Sequence, residues 1–201
     1  MKTKSEIVAN WLPRYTGMKL EDFGQYIILT NFKSYVQNFA EMMNVEVQGK
    51  EAPMQSATKD NITIINFSMG SAMAATIMDL LTAIMPKAVL FLGKTGVLKS
   101  YIGLGELILP IAAIRGEGTS NDYFPPEVPA LPAFNLEKAI SSTIRDYERD
   151  YWTGTVYTTN RRVWEYDEEF KDYLRKIRRP AILPCSFTYI TTNESGEEHQ
   201  P

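Results

Sequence analysis

Cysteine and histidine are almost missing from this sequence of 201 residues: it has one of each, and charge of neither sign is in large surplus. The lone Cys185 has no partner for an internal disulfide, so the chain is no disulfide scaffold. His199 lies in the polar tail 191–201 (TTNESGEEHQP), which argues against a histidine base, a Ser-His-Asp triad and a multi-histidine metal site. Twenty-one Lys+Arg against 24 Asp+Glu leave a formal charge of -3, so no global basic field is available for a nucleic-acid backbone. Long apolar runs are missing too. Those at 77–85 and 88–92 are interrupted by Asp79, Thr82, Pro86 and Lys87, far short of a bilayer span. The opening MKTKSEIVANWLPRYTG lacks the apolar core and small-residue cleavage site of a signal peptide, and a cytoplasmic location is expected.

What is present is the composition of a globular protein: 44% hydrophobic, 11% aromatic and 22% charged residues, enough apolar content to rule out disorder. The patterning alternates strand and helix. Strands are predicted over 26–30, 61–67, 88–92 and 105–111, and helices over 33–43 and 72–85, the latter stopped by Pro86. Residues 115–134 (RGEGTSNDYFPPEVPALPAF) are too rich in Gly and Pro for regular structure and read as a long loop or lid. A helix over 135–151, a strand over 152–158 and a charged amphipathic helix over 165–178 follow. This order implies an α/β fold with a mostly parallel sheet and helices on both faces. One domain is expected over 1–179, followed by a divergent, partly disordered tail over 180–201 in which 187–190 has strand character.

With histidine and cysteine set aside, chemistry must come from carboxylates, hydroxyls, backbone amides and cations. Three turns fall where such a sheet places its ligands, outside the carboxyl ends of the strands: Thr30-Asn31, Ser68-Met69-Gly70-Ser71 and Gly93-Lys94-Thr95-Gly96. Small residues there admit a ligand to the backbone, and helix-start amides favour anions, although each turn alone is also ordinary turn chemistry. Gly-Lys-Thr lacks the upstream glycine of a phosphate-cradling P-loop. The loop from Arg115 to Tyr123 gathers a cation, two acids, hydroxyls and an aromatic, suited to holding a planar heterocycle or simply to solvation. Arg161 and Arg162 sit at the start of the last predicted helix, against its dipole, and call for an anionic ligand or an acidic partner.

Several ordered segments carry a family resemblance. They are Leu12-Pro13-Arg14-Tyr15-Thr16-Gly17, Ile65-Asn66-Phe67-Ser68-Met69-Gly70-Ser71, Phe91-Leu92-Gly93-Lys94-Thr95-Gly96, Arg115-Gly116-Glu117-Gly118-Thr119-Ser120 and Tyr157-Thr158-Thr159-Asn160-Arg161-Arg162-Val163-Trp164-Glu165. Over about 11–178 the sequence resembles the short bacterial AMP nucleosidases of the nucleoside phosphorylase superfamily. The resemblance implies a three-layer fold with a twisted, mostly parallel central sheet, and hydrolysis of AMP to adenine and ribose 5-phosphate. It implies no metal or cofactor, and a homo-oligomer, usually a hexamer. The regulatory domain of long members is not expected.

The resemblance also suggests places for the substrate. Met69 and Gly70 would lie near the ribose, Lys94, Thr95 and Gly96 on the pocket floor, and Arg115 to Tyr123 around the base or its entrance. Thr30, Asn31, Lys33, Arg161 and Arg162 are candidates for the 5′-phosphate. Phe91 stands where phosphorylase relatives carry an arginine for the phosphate nucleophile, which favours water as nucleophile. After the last helix the family pattern continues to a Met-Glu pair for the ribose hydroxyls and a Ser-Asp pair for protonating the base. Neither pair occurs in this sequence, so the expected fold is C-terminally incomplete and no catalytic acid is assigned among Glu106, Glu117, Asp122, Glu165 and Asp167. The alternatives are a purine nucleoside phosphorylase and a non-catalytic nucleotide-binding or partner subunit.

Overall fold

The computed structural model describes residues 2–97, 99, 101–161, 163–164, 166–178 and 188–189. Its contacts divide the chain into two units, Met1–Gly93 and Lys94–Pro201.

In the first unit, α1 (Lys4–Thr16) begins at a capping box in which the Thr3 hydroxyl accepts the Glu6 N–H at 3.2 Å and the Glu6 carboxylate accepts the Thr3 N–H at 2.7 Å. The Thr3 N–H, and then the Thr3 hydroxyl donating at 3.1 Å, hold the Glu6 carboxyl below its usual pKa. The helix stops at Gly17, whose φ of 70° is left-handed. Strands β1 (Tyr26–Thr30), β2 (Ser56–Lys59), β3 (Ile62–Asn66) and β4 (Ala88–Leu92) form a sheet in the order β2-β3-β1-β4. The pairs β1–β3 and β1–β4 are parallel, and β2 runs antiparallel to β3 across a turn at Asp60. Helix α2 (Lys33–Met43) covers one face through Val36 and Ala40, packed with Ala57 and Ile64. Helices α1 and α3 (Ser71–Leu81) cover the other face, where Leu12, Ile77 and Leu81 meet Ile27, Leu29 and Ile65. Alternate residues of β1 and β3 therefore serve opposite cores, which makes three layers.

Helix α3 ends four residues before the expected limit at 85. The Thr82 N–H bonds back to the Asp79 carbonyl at 3.2 Å, that of Ala83 to Leu80 at 3.0 Å and that of Ile84 to Leu81 at 3.1 Å, all tighter three-residue steps. Met85 then takes φ 47°, consistent with the exclusion of helical backbone before Pro86.

In the second unit β5 (Gly96–Val97), β6 (Leu107–Gly116), β7 (Tyr151–Thr159) and β8 (Thr188–Tyr189) form a sheet in the order β5-β8-β7-β6. The β6–β7 and β7–β8 pairs are parallel, and β5–β8 is antiparallel. The β6–β7 register shifts between Pro110 and Ala112, where proline offers no N–H to the ladder. Helix α4 (Phe134–Asp146) lies between β6 and β7 in the chain and stops short of the expected 151. Helix α5 (Glu168–Arg178) closes the described helices, and Tyr157, Trp164, Phe170 and Leu174 form the core beside it.

Two boundaries change the reading of candidate residues. β6 runs to Gly116 rather than 111, so Arg115 belongs to a strand end and not to the loop. Helix α5 starts at Glu168, capped by Asp167, whose Oδ1 accepts the Phe170 N–H at 2.9 Å; Arg161 precedes the helix in the chain, and the cation it sets at that helix start is matched by the Asp167 carboxylate. In the tail, β8 falls within the expected strand at 187–190. Cys185, His199 and the remainder of 180–201 lie outside the described residues. Among the described residues no helix is long and apolar enough to cross a membrane.

Candidate functional site

Because β1, β3 and β4 are parallel, their carboxyl ends share one edge, with Thr30 in register with both Asn66 and Leu92. Thr30 is fully buried and works as a tie: its hydroxyl accepts the Phe32 N–H at 3.2 Å and its carbonyl accepts the Phe67 N–H at 3.0 Å. Asn31 follows, with a buried Oδ1 that has no hydrogen-bond partner among the described residues. Across the edge the Phe91 ring, 39% exposed, packs on Phe67 with centroids 5.8 Å apart. It also lies over Gly93, where a Cβ would come within 2.7 Å of the ring and 3.6 Å of Asn31 Oδ1. Lys33 is exposed and opens α2, whose first turn holds no acid.

After β3 the chain leaves the sheet through an exposed turn, Ser68-Met69-Gly70. Ser68 takes φ 69° and bonds its N–H to Asn66 Oδ1 at 2.9 Å; Gly70 takes φ 99° and ψ 151° as the residue before α3. A Cβ on Gly70 would meet nothing within 4 Å, so the turn stands in open space. Asn66 is a residue that the sequence reading passed over within its own motif. Its signal was available, since an Asn two residues before a Ser-x-Gly helix start is a turn-forming pattern.

In the second unit, the Thr95 hydroxyl is 3.4 Å from the Gly96 carbonyl, and Gly96 pairs with Tyr189 in the sheet. Lys94 stands two residues before that strand. Arg115 is committed to the loop that follows it: its Nη2 donates to Asn121 Oδ1 at 3.2 Å and to the carbonyls of Phe124 at 3.3 Å and Pro125 at 2.6 Å. The loop is further fixed by Glu117, whose Oε1 accepts the Ser120 N–H at 3.3 Å and whose carbonyl accepts from the Asn160 amide. Tyr123 is half exposed at the end of this braced segment. Arg115 thus shapes the loop carrying Tyr123.

Arg161 donates to Asp167 and lies over the Phe170 ring at 4.6 Å. Arg162 and Glu165 lie outside the described residues. Tyr157 is pushed above the usual phenol pKa, first by burial and then by Tyr173. No group of three or more His, Cys, Asp or Glu residues suited to a metal ion occurs among the described residues.

The chain belongs to the phosphorylase superfamily, whose family model matches residues 25–182. Within it the chain belongs with the AMP nucleosidases: it is 59% identical to the AMP nucleosidase of Bacteroides thetaiotaomicron, whose crystal structure it matches at a TM-score of 0.86, covering 95% of this chain and 79% of that one. It is 22% identical over 199 aligned positions to the AMP nucleosidase of Escherichia coli, and the match takes in 77% of this chain and 41% of that protein's length. A uridine phosphorylase of Vibrio fischeri, 23% identical with a TM-score of 0.73 over 86% of this chain and 71% of that one, shares the fold. The α/β class with mostly parallel strands and flanking helices is therefore as the sequence led one to expect.

Proposed function

We propose that this chain acts on AMP as an N-glycosyl hydrolase, giving adenine and ribose 5-phosphate. The observation that carries this reading is the 59% identity to an AMP nucleosidase across 95% of the chain. In the reaction the C1′–N9 bond breaks with its electron pair going to adenine, a ring nitrogen of the base takes a proton, and water adds to C1′ and loses one. Charge grows on the sugar and the base in that step, so binding groups fixed in advance have the most effect. The first unit supplies such groups at Asn31 and the Ser68–Gly70 turn. By the resemblance, Phe91 near the end of β4 stands where phosphorylase relatives carry an arginine for inorganic phosphate, and this supports water as the nucleophile. Membership of this family also supports AMP salvage by a cytoplasmic homo-oligomer.

The test is chromatography of AMP incubated with the purified chain, with and without inorganic phosphate. Adenine and ribose 5-phosphate released without phosphate support the proposal. Release that requires phosphate makes the chain a phosphorylase. Intact AMP, from a cooperatively melting sample that AMP stabilises, makes it a binding or partner subunit.

A finer expectation concerns Arg161. If its guanidinium meets the 5′-phosphate, it does so in competition with Asp167. Arg161→Ala should then weaken AMP binding by about tenfold while leaving adenosine unchanged, the scale of one charge-assisted bond. Asp167→Asn should tighten AMP, because the amide keeps the α5 cap but releases Arg161. Titration calorimetry with both ligands decides this, and equal losses for AMP and adenosine in Arg161→Ala would remove the phosphate role.

A further inference from the structure

One face of α4 lies against Tyr151, the first residue of β7. Glu137, Ser141 and Arg145 follow one another at four-residue intervals and so share a stripe of that helix. Ser141 Oγ stands 2.7 Å from Tyr151 Oη, and the Arg145 guanidinium lies over the Tyr151 ring, 5.7 Å from its centroid. Arg145 forms no ion pair among the described residues, so no carboxylate already claims its charge. In the sheet Tyr151 pairs with Leu107 of β6, which brings no charge. A phenolate can only accept a hydrogen bond, so the Ser141 hydroxyl donates to it, and the neighbouring cation favours it further. The Ser141 bond first, and then Arg145, hold the Tyr151 phenol below its usual pKa, against partial burial and the charge of Glu137. Tyr157, on the same strand, has the opposite setting, buried and pushed up.

We propose that Tyr151 is a site of covalent modification by activated acyl donors, with Ser141 and Arg145 making its hydroxyl the most nucleophilic phenol among the described residues. Attack by Tyr151 Oη on the acyl carbon forms an ester C–O bond while the bond from that carbon to its leaving group breaks, and the phenolic proton departs with the leaving group. Addition places negative charge on the acyl oxygen, and the Arg145 guanidinium is the cation at hand to meet it. Tyr166 and Tyr147 are far more open, at 89% and 77% exposed, but neither has such a hydroxyl bond or guanidinium beside it among the described residues. These three tyrosines therefore separate reach from activation. The inference stands apart from the AMP reading, since none of its residues is placed at the substrate.

The experiment treats the whole chain with N-acetylimidazole, an acyl donor that esterifies phenols, and reads O-acetylation at each tyrosine by peptide mass spectrometry. At neutral pH Tyr151 is expected to acetylate faster than Tyr166 and Tyr147 despite its lesser exposure, and the lead should narrow as pH rises toward the ordinary phenol value. Ser141→Ala and Arg145→Gln should each slow acetylation of Tyr151 by about fivefold, the scale of one hydrogen bond, with Tyr166 unchanged. Both variants leave Tyr151 at least as open to the reagent, so accessibility alone predicts no slowing. Ser141→Thr keeps a hydroxyl and should restore the wild-type rate. The proposal is overturned if Tyr151 reacts no faster than Tyr147 and Tyr166 at neutral pH, if Ser141→Ala or Arg145→Gln labels at the wild-type rate or above, or if Ser141→Thr is slowed as much as Ser141→Ala.

Discussion

Gly116→Ala is expected to destabilise the protein by about 3 kcal/mol, the upper end of what overpacking costs, and to lower its melting temperature by roughly 6–12 °C for a chain of this size. A Cβ at this strand end would stand 2.3 Å from Tyr157 Oη, 2.4 Å from Tyr157 Cζ and 2.5 Å from the Thr158 carbonyl. None of these atoms can yield cheaply. The carbonyl belongs to β7, which is laddered to β6 along its length, and the Tyr157 ring is buried in the cluster with Trp164, Phe170 and Leu174. The ring meets Phe170 and Tyr173 edge-on at 5.9 and 6.1 Å, so turning it away breaks those contacts as well. The effect should also reach the loop, because Arg115 and Glu117 flank the glycine and hold residues 117–125. Thermal melts of wild type, Gly116→Ala and the double variant Gly116→Ala/Tyr157→Ala decide the matter. The double variant should be less damaged than the two single losses combined, since the tyrosine is half of the clash. A Gly116→Ala protein with the wild-type melting temperature would show that the strand ends part more easily than their packing implies.

How far a sequence discloses such a fold depends on whether its signals are local. YIILT, ITIIN and AVLFL are apolar runs followed by turn residues, and all three were legible as the parallel strands that lead into the candidate turns. β2 was not, because Ser56-Ala57-Thr58-Lys59 has weak strand preference and is drawn into the sheet by its hairpin with β3 and by burial of Ala57. α1 carried a readable capping box, Thr3 with Glu6, but its stretch was weighed only as a leader and Pro13 obscured its period. The alternation of strand and helix located the candidate turns after the ends of β1, β3 and β4. What it could not disclose was which side chains are already occupied. The bond of Arg161 to Asp167 and those of Arg115 to Asn121, Phe124 and Pro125 join residues six to ten apart through irregular backbone, where no periodicity announces a contact. The unsatisfied Oδ1 of Asn31 is likewise a property of its surroundings and has no signature in the residue itself.

Gly70→Ala should behave in the opposite way to Gly116→Ala, with a small loss of stability and a large loss of AMP affinity. The backbone of Gly70, at φ 99° and ψ 151°, lies in a region that only glycine enters readily, whereas a Cβ there would touch nothing within 4 Å. Packing therefore places no demand on this position, and the whole cost is conformational, about 1–3 kcal/mol for a residue with a Cβ. An exposed turn can escape that cost by relaxing to another shape, which spares the fold but leaves the shape proposed to meet the ligand thinly populated. Apparent affinity then falls by the same population factor, roughly 5- to 150-fold. Ser68 is the internal control for this reasoning: it also has positive φ, at 69°, but there a non-glycine residue is held in place by its bond to Asn66. Calorimetry with AMP, alongside a melting curve, separates the possibilities. An alanine variant that binds AMP as wild type does would mean that ligand contact does not depend on the shape of this turn, and a variant that loses its cooperative melt would mean that the turn carries stability that its open surroundings do not reveal.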